Sequence, residues 1–310
     1  MIVSWWDWSR IRVRFNKQLR ASKILLKPFL SLYLQMTIPK RFRRFISVGI
    51  ILCCLLLRVE AQSNTPAAKT ASPDPRAEAV VARAIEALGG SAYLNTKTAV
   101  GRGFYTAFQD GMSQLPARFL DYLSYPDRER TEFISNGIRV IQTNSGDTGW
   151  VYDGATKTLS DMKSGQIEDF KRSMRTSVEN LLRGWWKKEG ATLSYIGRRE
   201  AGLARRNETL RLTYPDGFWI EYEFAAKEGL PAKVIYKRTR KKADSDETEE
   251  LTEEDRLAKP ITIGGVTAPW VIDHFINGIQ TSRINFESIE YNQPLADSLF
   301  VKPANVKSLK

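Results

Sequence analysis

Few side chains in this 310-residue sequence could carry chemistry. Two cysteines, Cys53 and Cys54, lie side by side in the first fifth of the chain, and His274 is the one histidine. One imidazole, with no thiol after residue 54, cannot build a cysteine-based zinc site, a cysteine nucleophile or a set of disulfides. We therefore expect no metal and no other cofactor, and we interpret His274 as a hydrogen-bonded structural residue in a strand.

Carboxylates offer the remaining route to catalysis. Glu221 and Glu223 alternate on one predicted strand and Asp216 lies in the preceding turn, an arrangement that could supply a general acid and base for a polysaccharide. Alternating glutamates, however, are more typical of the solvent face of a strand. Residues 241–255 are strongly acidic but lack the alternating spacing and central glycine of a calcium loop, so we interpret them as a solvated loop. The sequence favours a protein that is not an enzyme.

Charge is distributed unevenly along the chain. The sequence has 47 Lys and Arg against 35 Asp and Glu, a net charge of +12. Residues 1–61 contain 12 of the basic and 2 of the acidic residues, which leaves 35 basic and 33 acidic residues in 62–310. A nearly neutral body lacks the excess of cations that binds a phosphate backbone. We expect no nucleic-acid partner.

The basic segment has the layout of an export signal. Residues 36–61 combine a basic start, an apolar run at 45–57 and a small-residue exit, which predicts a signal peptide cleaved after Ala61 and a periplasmic protein. The alternative is an inner-membrane anchor through 45–57, although this run is short for a bilayer core of ~30 Å. Residues 1–35 are interpreted as an upstream extension or a misplaced start, and 62–74 as a flexible linker.

The rest of the chain predicts one domain, residues 75–306. Asp74 as N-cap, Pro75 in the first turn and a glycine pair at 89–90 delimit a helix. Short runs of aromatic and β-branched residues separated by turns then predict roughly ten antiparallel strands. A helical pattern at 166–187 interrupts them, and its apolar stripe must pack on the sheet. The predicted class is α+β, mostly β, with one strongly curved antiparallel sheet.

Three stretches of this domain carry a family resemblance. They are the end of the first helix at 84–90 (AIEALGG), the turn and strand start at 264–269 (GGVTAP), and residues 286–303, which begin FESIEYNQPL. Together they resemble the periplasmic lipoprotein carriers, the LolA/LolB-like outer membrane lipoprotein-sorting proteins, over most of 75–303. The resemblance implies an unclosed barrel whose helices cover a hydrophobic hollow that takes up acyl chains.

Such a hollow needs a wide apolar wall, because each methylene removed from water contributes ~0.8 kcal/mol. The candidate cavity residues are Phe170, Met174, Val178, Leu181 and Trp185 from the helical pattern, and Phe104, Phe108, Phe119, Leu123 and Trp150 from the sheet. The alternative is that these side chains fill a solid core. The adjacent run Trp185–Lys188, with two indoles before two lysines, suggests a transient contact with a membrane or a helix end stabilised by its dipole.

Two functions from different classes fit this sequence. The first is a non-enzymatic carrier or chaperone that shields the acyl chains of a lipid or lipoprotein in the periplasm. The second is an envelope sensor or protein-interaction module on the same fold, which signals to a membrane partner. Both stay open from the sequence alone, because no motif encodes the cargo or the partner.

Overall fold

The computed structural model describes residues 74–242 and 245–309. The predictions for the upstream extension and the signal peptide, and for the linker up to residue 73, fall outside these residues. The helices are α1 Pro75–Ala87, α2 Ser91–Leu94, α3 Ser164–Thr176 and α4 Val178–Leu182, with 3-10 turns at Trp185–Glu189, Asp297–Leu299 and Val306–Leu309.

Fourteen strands occupy most of the described chain. They are β1 Thr98–Gln109, β2 Met112–Ser113, β3 Ala117–Ser124, β4 Arg128–Ser135, β5 Ile138–Ser145, β6 Thr148–Asp153, β7 Thr158–Asp161, β8 Thr192–Glu200, β9 Arg206–Thr213, β10 Trp219–Ala225, β11 Pro231–Lys241, β12 Thr248–Ile263, β13 Val266–Ile276 and β14 Ile279–Tyr291. The sequence predicted roughly ten strands, and β2, β7, β8 and β12 were not among them.

All strand pairs are antiparallel, and the sheet is built from two meanders that meet at β1. The strand order is β7-β6-β5-β4-β3-β1-β14-β13-β12-β11-β10-β9-β8, with β2 paired to β1 alone. β7 and β8 are therefore the two edges, and the sheet is curved but not closed. The chain passes from one edge to the other through α3 and α4. This confirms the predicted fold class: mostly β, one curved antiparallel sheet and few helices.

Helix α1 is fixed at both ends. The Asp74 side chain accepts hydrogen bonds from the first turn, and its Oδ2 also accepts one from the backbone N–H of Tyr195 in β8 at 2.8 Å. After the helix, Gly89 has φ +116°, and a Cβ at this position would lie 2.0 Å from the carbonyl oxygen of Gly265. The predicted cap and stop are both confirmed. The first two stretches of the family resemblance meet at this contact.

The main core lies between the helices and one face of the sheet, which we call the inner face. Strand alternation directs Leu210 of β9 and Ile220 and Phe224 of β10 toward α1, and none of the three is exposed to solvent. Ala77 and Ala84 of α1 are likewise fully buried. Small residues on the helix and large ones on the sheet allow close packing of the two layers.

The helix predicted over 166–187 is broken, and this prediction was wrong in one respect. Ser177 is extended (φ −65°, ψ 150°), and its hydroxyl accepts a hydrogen bond from the backbone N–H of Asn180 at 3.0 Å. Ser177 is thus the N-cap of α4, since a serine hydroxyl satisfies an otherwise unpaired N–H there. Gly184, with φ +71°, ends the segment. We call residues 164–182, which comprise α3 and α4, the lid segment.

The acidic run at 241–255 is mostly strand rather than the loop predicted from its composition. β11 ends at Lys241, β12 begins at Thr248, and the two strands pair with each other as a hairpin. Basic residues of β11 face acidic residues of β12: Lys237 Nζ lies 2.6 Å from Glu250 Oε1, and Arg240 Nη2 lies 2.7 Å from Glu249 Oε1. Opposite charges directly across a ladder favour the hairpin, an effect that composition alone does not reveal.

Candidate functional site

A cavity of about 80 Å³ lies beneath the lid segment at the inner face; we call it the lid cavity. One part of its wall is apolar, and the side chains there are Leu88, Val178, Val234, Leu257, Val266, Ala268 and Ile272. Another part is polar and aromatic, with Tyr93, Thr96, Tyr125, Arg183 and Tyr291. Pockets that enclose small molecules measure ~300–1,000 Å³. The lid cavity is therefore smaller than the pockets that enclose small molecules.

The lid segment is attached to the β9–β10 hairpin by polar side chains. Arg175 Nη1 donates to Asp216 Oδ2 at 2.8 Å, and its guanidinium lies 3.7 Å from the centre of the Tyr214 ring. Asn180 Nδ2 donates to the Tyr214 hydroxyl at 2.7 Å. The Arg175–Asp216 ion pair is partly exposed to solvent, where ion pairs contribute little to stability. The Asn180–Tyr214 hydrogen bond, by contrast, is buried.

A second attachment holds the end of α4 over α2. The two Nη atoms of Arg183 donate to the backbone oxygens of Tyr93 (2.8 Å), Leu94 (3.0 Å) and Thr96 (3.0 Å). The guanidinium also lies 4.9 Å from the centre of the Tyr93 ring and 4.7 Å from that of Tyr125. Cation–π contact and three carbonyl acceptors together fix the arginine at the polar end of the lid cavity.

Ionisable groups form the floor next to the cavity. Asp255 lines the cavity, and its Oδ1 lies 2.6 Å from His274 Nδ1. Glu253 accepts a hydrogen bond from the Tyr236 hydroxyl at 2.7 Å and lies 3.6 Å from His274 Nε2. Burial acts to lower the pKa of His274, but the charge of Asp255 and its hydrogen bond raise that pKa above its ordinary value. His274 is hydrogen-bonded, as expected, within a buried cluster of charges.

The sheet candidates divide between the two faces. Phe119 and Leu123 lie on the inner face: the Phe119 ring packs edge-on against Phe286 at 5.4 Å, and Leu123 packs beneath Met174 and Trp185. Leu123 and its neighbours thus form a small second core.

Phe104, Phe108 and Trp150 follow the opposite alternation, so their predicted position facing the helix was wrong. Phe104 pairs with Arg118, whose guanidinium lies over its ring, and Trp150 Nε1 donates to the backbone oxygen of Phe300 at 3.1 Å. Aromatic residues are common in strands, but their presence does not indicate toward which face of the sheet the side chain points.

The lid candidates all face the sheet or its neighbours. Phe170 and Leu181 are 1% exposed, whereas Met174, Val178 and Trp185 are partly buried against the core. Val178 is the member of the ten candidates that lines the lid cavity. Contact of these side chains with a ligand stays a prediction.

The inner face is not uniformly apolar. On β3 to β5 it presents Asp121, Thr131 and Gln142 in one row across neighbouring strands. Thr131 Oγ1 donates to Asp121 Oδ1 at 2.7 Å, and burial raises the pKa of Asp121 to about 7. The inner face is therefore polar on this side of the sheet. Composition could not have shown this, because the row exists only once the register is set.

The carboxylates considered for catalysis have basic partners. Glu221 lies between Arg199 (2.6 Å) and Arg211 (2.5 Å) on the outer face. Burial acts to raise the pKa of Glu221, yet hydrogen bonds from the two arginines hold it below its ordinary value. Glu223 accepts from Asn207 at 2.9 Å. The described residues contain no group of three or more side chains able to hold a metal ion.

The tryptophan pair is tied to the body of the protein. Trp186 Nε1 donates to the backbone oxygen of Leu181 at 3.1 Å, and the Trp185 ring lies 6.0 Å from that of Tyr125. Contact of this corner with a membrane stays a prediction. Among the described helices, none has the length and apolar character needed to cross a bilayer.

Comparison with known proteins shows which fold the chain shares with solved structures. No family model matches the sequence, and no curated protein does. Among solved structures, a DUF1329 family protein from Desulfovibrio piger matches 74% of this chain and 98% of its own with a TM-score of 0.50 at 12% identity. This likeness shows a shared fold.

Two further solved structures have lower scores. A putative outer membrane lipoprotein-sorting protein domain from Vibrio parahaemolyticus matches 72% of this chain and 97% of its own (TM-score 0.48, 12% identity). A LolA superfamily protein from Nitrosomonas europaea matches 73% and 97% (TM-score 0.46, 14% identity). Both solved structures carry the name of the family that the sequence resembles.

Proposed function

We propose that the protein is a non-enzymatic carrier or chaperone that shields the acyl chains of a lipid or lipoprotein beneath its lid segment. The observation that carries this proposal is the lid segment itself. It connects the two unpaired edges of a curved sheet, has an apolar underside and is held by polar side chains. In this proposal residues 36–61 export the protein to the periplasm.

Loading exchanges one apolar contact for another. When the lid segment lifts, side chains such as Leu181 and Val178 lose their contact with the sheet, and an acyl chain takes its place. Each methylene that the chain buries contributes ~0.8 kcal/mol. The exposed hydrogen bond of Arg175 to Asp216 is replaced by hydrogen bonds to water at little cost, and the buried hydrogen bond of Asn180 to the Tyr214 hydroxyl is broken and hydrated as well.

Val178→Asp tests the proposal at the cavity wall, with Val301→Asp as the matched control because Val301 is 62% exposed. Binding of the fluorescent fatty acid cis-parinaric acid is measured by titration. We expect at least a tenfold weaker affinity in Val178→Asp and no change in Val301→Asp, with equal far-UV circular dichroism. Equal binding by all three proteins would contradict the proposal.

Native mass spectrometry of the unaltered protein gives a second measurement that does not depend on a variant. We expect an acylated molecule to co-purify at one per chain under mild conditions. If the protein is lipid-free and also fails to bind the probe, we would conclude that the same apolar residues are part of an ordinary hydrophobic core. The alternative function, an envelope sensor, would be favoured by two results together. The protein would bind the lipid without transferring it between vesicles, and the lipid-loaded protein would bind an inner-membrane protein.

A further inference from the structure

A buried cluster of ionisable side chains lies on the inner face beside the lid cavity. Strand register places Asp255 of β12 between Val234 of β11 and His274 of β13, so all three residues are on the same face of the sheet. His274 Nδ1 lies 2.6 Å from Asp255 Oδ1, and its Nε2 lies 3.6 Å from Glu253 Oε2. Val234 and Asp255 both line the lid cavity. The imidazole is therefore held between two carboxylates next to this cavity.

The neighbouring strands complete the cluster. On β11, the Tyr236 hydroxyl donates to Glu253 Oε2 at 2.7 Å, and Arg238 Nε donates to Glu253 Oε1. On β14, the residue paired with His274 is Ser282, which is uncharged and buried. The side chains of His274 and Glu253 are only 6% and 4% exposed. Charges at this depth have to balance, because an uncompensated charge in an apolar medium is costly.

The protonation state of His274 decides whether the charges of the cluster balance. With a neutral imidazole, the carboxylates of Asp255 and Glu253 face one cation, Arg238. With a protonated imidazole, two cations face two carboxylates. Burial acts to lower the pKa of His274, but the charge and hydrogen bond of Asp255 raise it above its ordinary value. The balanced form is therefore present at low pH and is lost as pH rises through the folded value.

Helix α3 of the lid segment lies close to this cluster and adds a pair of opposite charges. Asp169 and Arg172 form an ion pair with each other on α3. Burial raises the pKa of Tyr236, and the Arg172 cation opposes that shift. Burial acts to lower the pKa of Arg238, and Asp169 is one of the acidic residues that raise it. Both α3 residues therefore act on the cluster without changing its balance.

Helix α4 and its C-cap add a second pair of opposite charges. Glu179 and Arg183 both line the lid cavity, and Arg183 is bound to the backbone oxygens of residues 93–96. Among the side chains that face the cluster or the cavity, His274 is of the type that ordinarily changes its charge between pH 5 and 8. Its titration is the step that unbalances the charges beneath the lid segment.

We propose that His274 is a pH-sensitive switch for the lid segment: its protonated form balances the buried cluster and keeps the lid segment closed, and its neutral form favours opening. Opening follows because the excess negative charge is more stable when water reaches it. This inference rests on the proposed carrier function, in which the lid segment lifts, and adds the regulation of that step.

Two variants with opposite expected effects test the switch. His274→Gln keeps a hydrogen-bonding side chain but cannot take up a proton, so the excess negative charge persists at every pH. Asp255→Asn removes one carboxylate, so the cluster is balanced while the imidazole is neutral. A general loss of packing would change both variants in the same direction, whereas a change in charge balance separates them.

The measurement is amide hydrogen exchange of the full chain at pH 6 and pH 9 with millisecond labelling. Exchange at residues 164–182 is expressed as protection relative to an unstructured chain at the same pH, and α1, residues 75–87, is the internal reference. Urea denaturation of each variant verifies that it is folded. If His274→Gln does not fold, the unaltered protein and Asp255→Asn still decide the result.

We expect protection of the lid segment in the unaltered protein to fall about fivefold or more from pH 6 to pH 9, with no change at α1. His274→Gln should have the low protection at both pH values, and Asp255→Asn the high protection at both. Reduced protection in both variants would overturn the inference, and so would a pH response of the same size in His274→Gln.

Asp121→Asn is the matched control. Burial raises the pKa of Asp121 to about 7, so this carboxyl group titrates in the same range, but it lies on β3 and does not line the lid cavity. The pH response of the lid segment should be retained in Asp121→Asn. Loss of the response in this variant, together with its retention in His274→Gln, would assign it to Asp121 and overturn the inference.

Binding of cis-parinaric acid separates this inference from the carrier function. A protein that binds the probe but has equal lid protection at both pH values would overturn the switch and leave the carrier function intact. A protein that binds no probe but whose lid segment responds to pH as expected would support the switch and contradict the carrier function.

Discussion

Helix α1 and the lid segment both cover the inner face, but they are attached to it in different ways. α1 is held by backbone: Gly89 approaches the Gly265 carbonyl too closely for any side chain, and the Thr267 N–H donates to the Leu88 oxygen at 2.9 Å. The lid segment has buried apolar residues as well, but its fastenings are the side chains of Arg175, Asn180 and Arg183.

We interpret the difference as one between a permanent part of the core and a segment that, in the proposed function, lifts to admit a ligand. Close backbone contact and fully buried alanines leave α1 no alternative position short of unfolding. In the proposed function, the side-chain hydrogen bonds of the lid segment are replaced by hydrogen bonds to water when it lifts, and an acyl chain covers its apolar underside instead of the sheet. We therefore expect substitutions at α1 to change stability and substitutions at the lid fastenings to change access.

The largest expected effect is that of Gly89→Ala at the α1 contact. Its Cβ would lie 2.0 Å from the Gly265 oxygen, at a φ of +116° that side chains rarely adopt. We expect the free energy of unfolding to fall by about 4 kcal/mol or more. Gly111→Ala is the control: it has φ +77° but nothing within 4 Å, so a loss of about 1 kcal/mol is expected. Equal losses in urea denaturation would show that α1 is not held by this contact.

The pH dependence of stability should have opposite signs in the two regions. At α1, hydrogen bonds from the backbone of Tyr195 and the first turn lower the pKa of Asp74. A lowered folded-state pKa contributes stability at neutral pH that is lost as pH falls through the folded value. Asp74→Asn should therefore reduce the unfolding temperature at pH 7 more than at pH 3.

Below the lid segment, the pKa of His274 is raised in the folded protein. The contribution of His274 to stability is therefore fully present at a pH below its pKa in the unfolded chain, about 6.5. It is lost as pH rises through the folded value. The unaltered protein should exceed His274→Gln in unfolding temperature at pH 6, and the difference should shrink by pH 9. Thermal scans of Asp74→Asn between pH 3 and pH 7 and of His274→Gln between pH 6 and pH 9 measure the two signs; the same sign in both variants would contradict the assignment.

Arg175→Met should have the smallest effect on stability and the clearest effect on the opening of the lid segment. This change keeps the aliphatic stem but removes the ion pair with Asp216 and the charge over the Tyr214 ring. We expect a loss of about 1 kcal/mol or less with faster amide hydrogen exchange at residues 164–182. Arg240→Met, which breaks an exposed hairpin ion pair with Glu249, is the matched control and should leave exchange there unchanged.

Much of the fold was predictable where the physics is local. The Asp74 cap, Pro75 and the glycine pair fixed α1, and alternating residues around the 215–217 turn fixed the β9–β10 hairpin. Local signals also existed where prediction failed: Ser177 and Asn180 have the spacing of a cap, but the longer helical pattern concealed it.

The functional site was less predictable, because its residues come together over long separations. Neither Arg183 nor Tyr93 belongs to a motif that could be recognised in the sequence. Their contact joins positions 90 residues apart. The candidates Phe104 and Trp150 failed for a related reason, since the face that a strand turns inward is set by its partners.

The sequence by itself determined the caps, the turns, the mostly antiparallel β architecture and an amphipathic segment that had to lie on the sheet. These features depend on neighbours within a few residues, whose backbone preferences act before any long-range contact forms. Only the tertiary structure decided which aromatic residues face inward, that the acidic run pairs with basic partners, and that Tyr93 and Arg183 meet beside one cavity. Those outcomes depend on strand register and on contacts between distant residues, which no local pattern encodes.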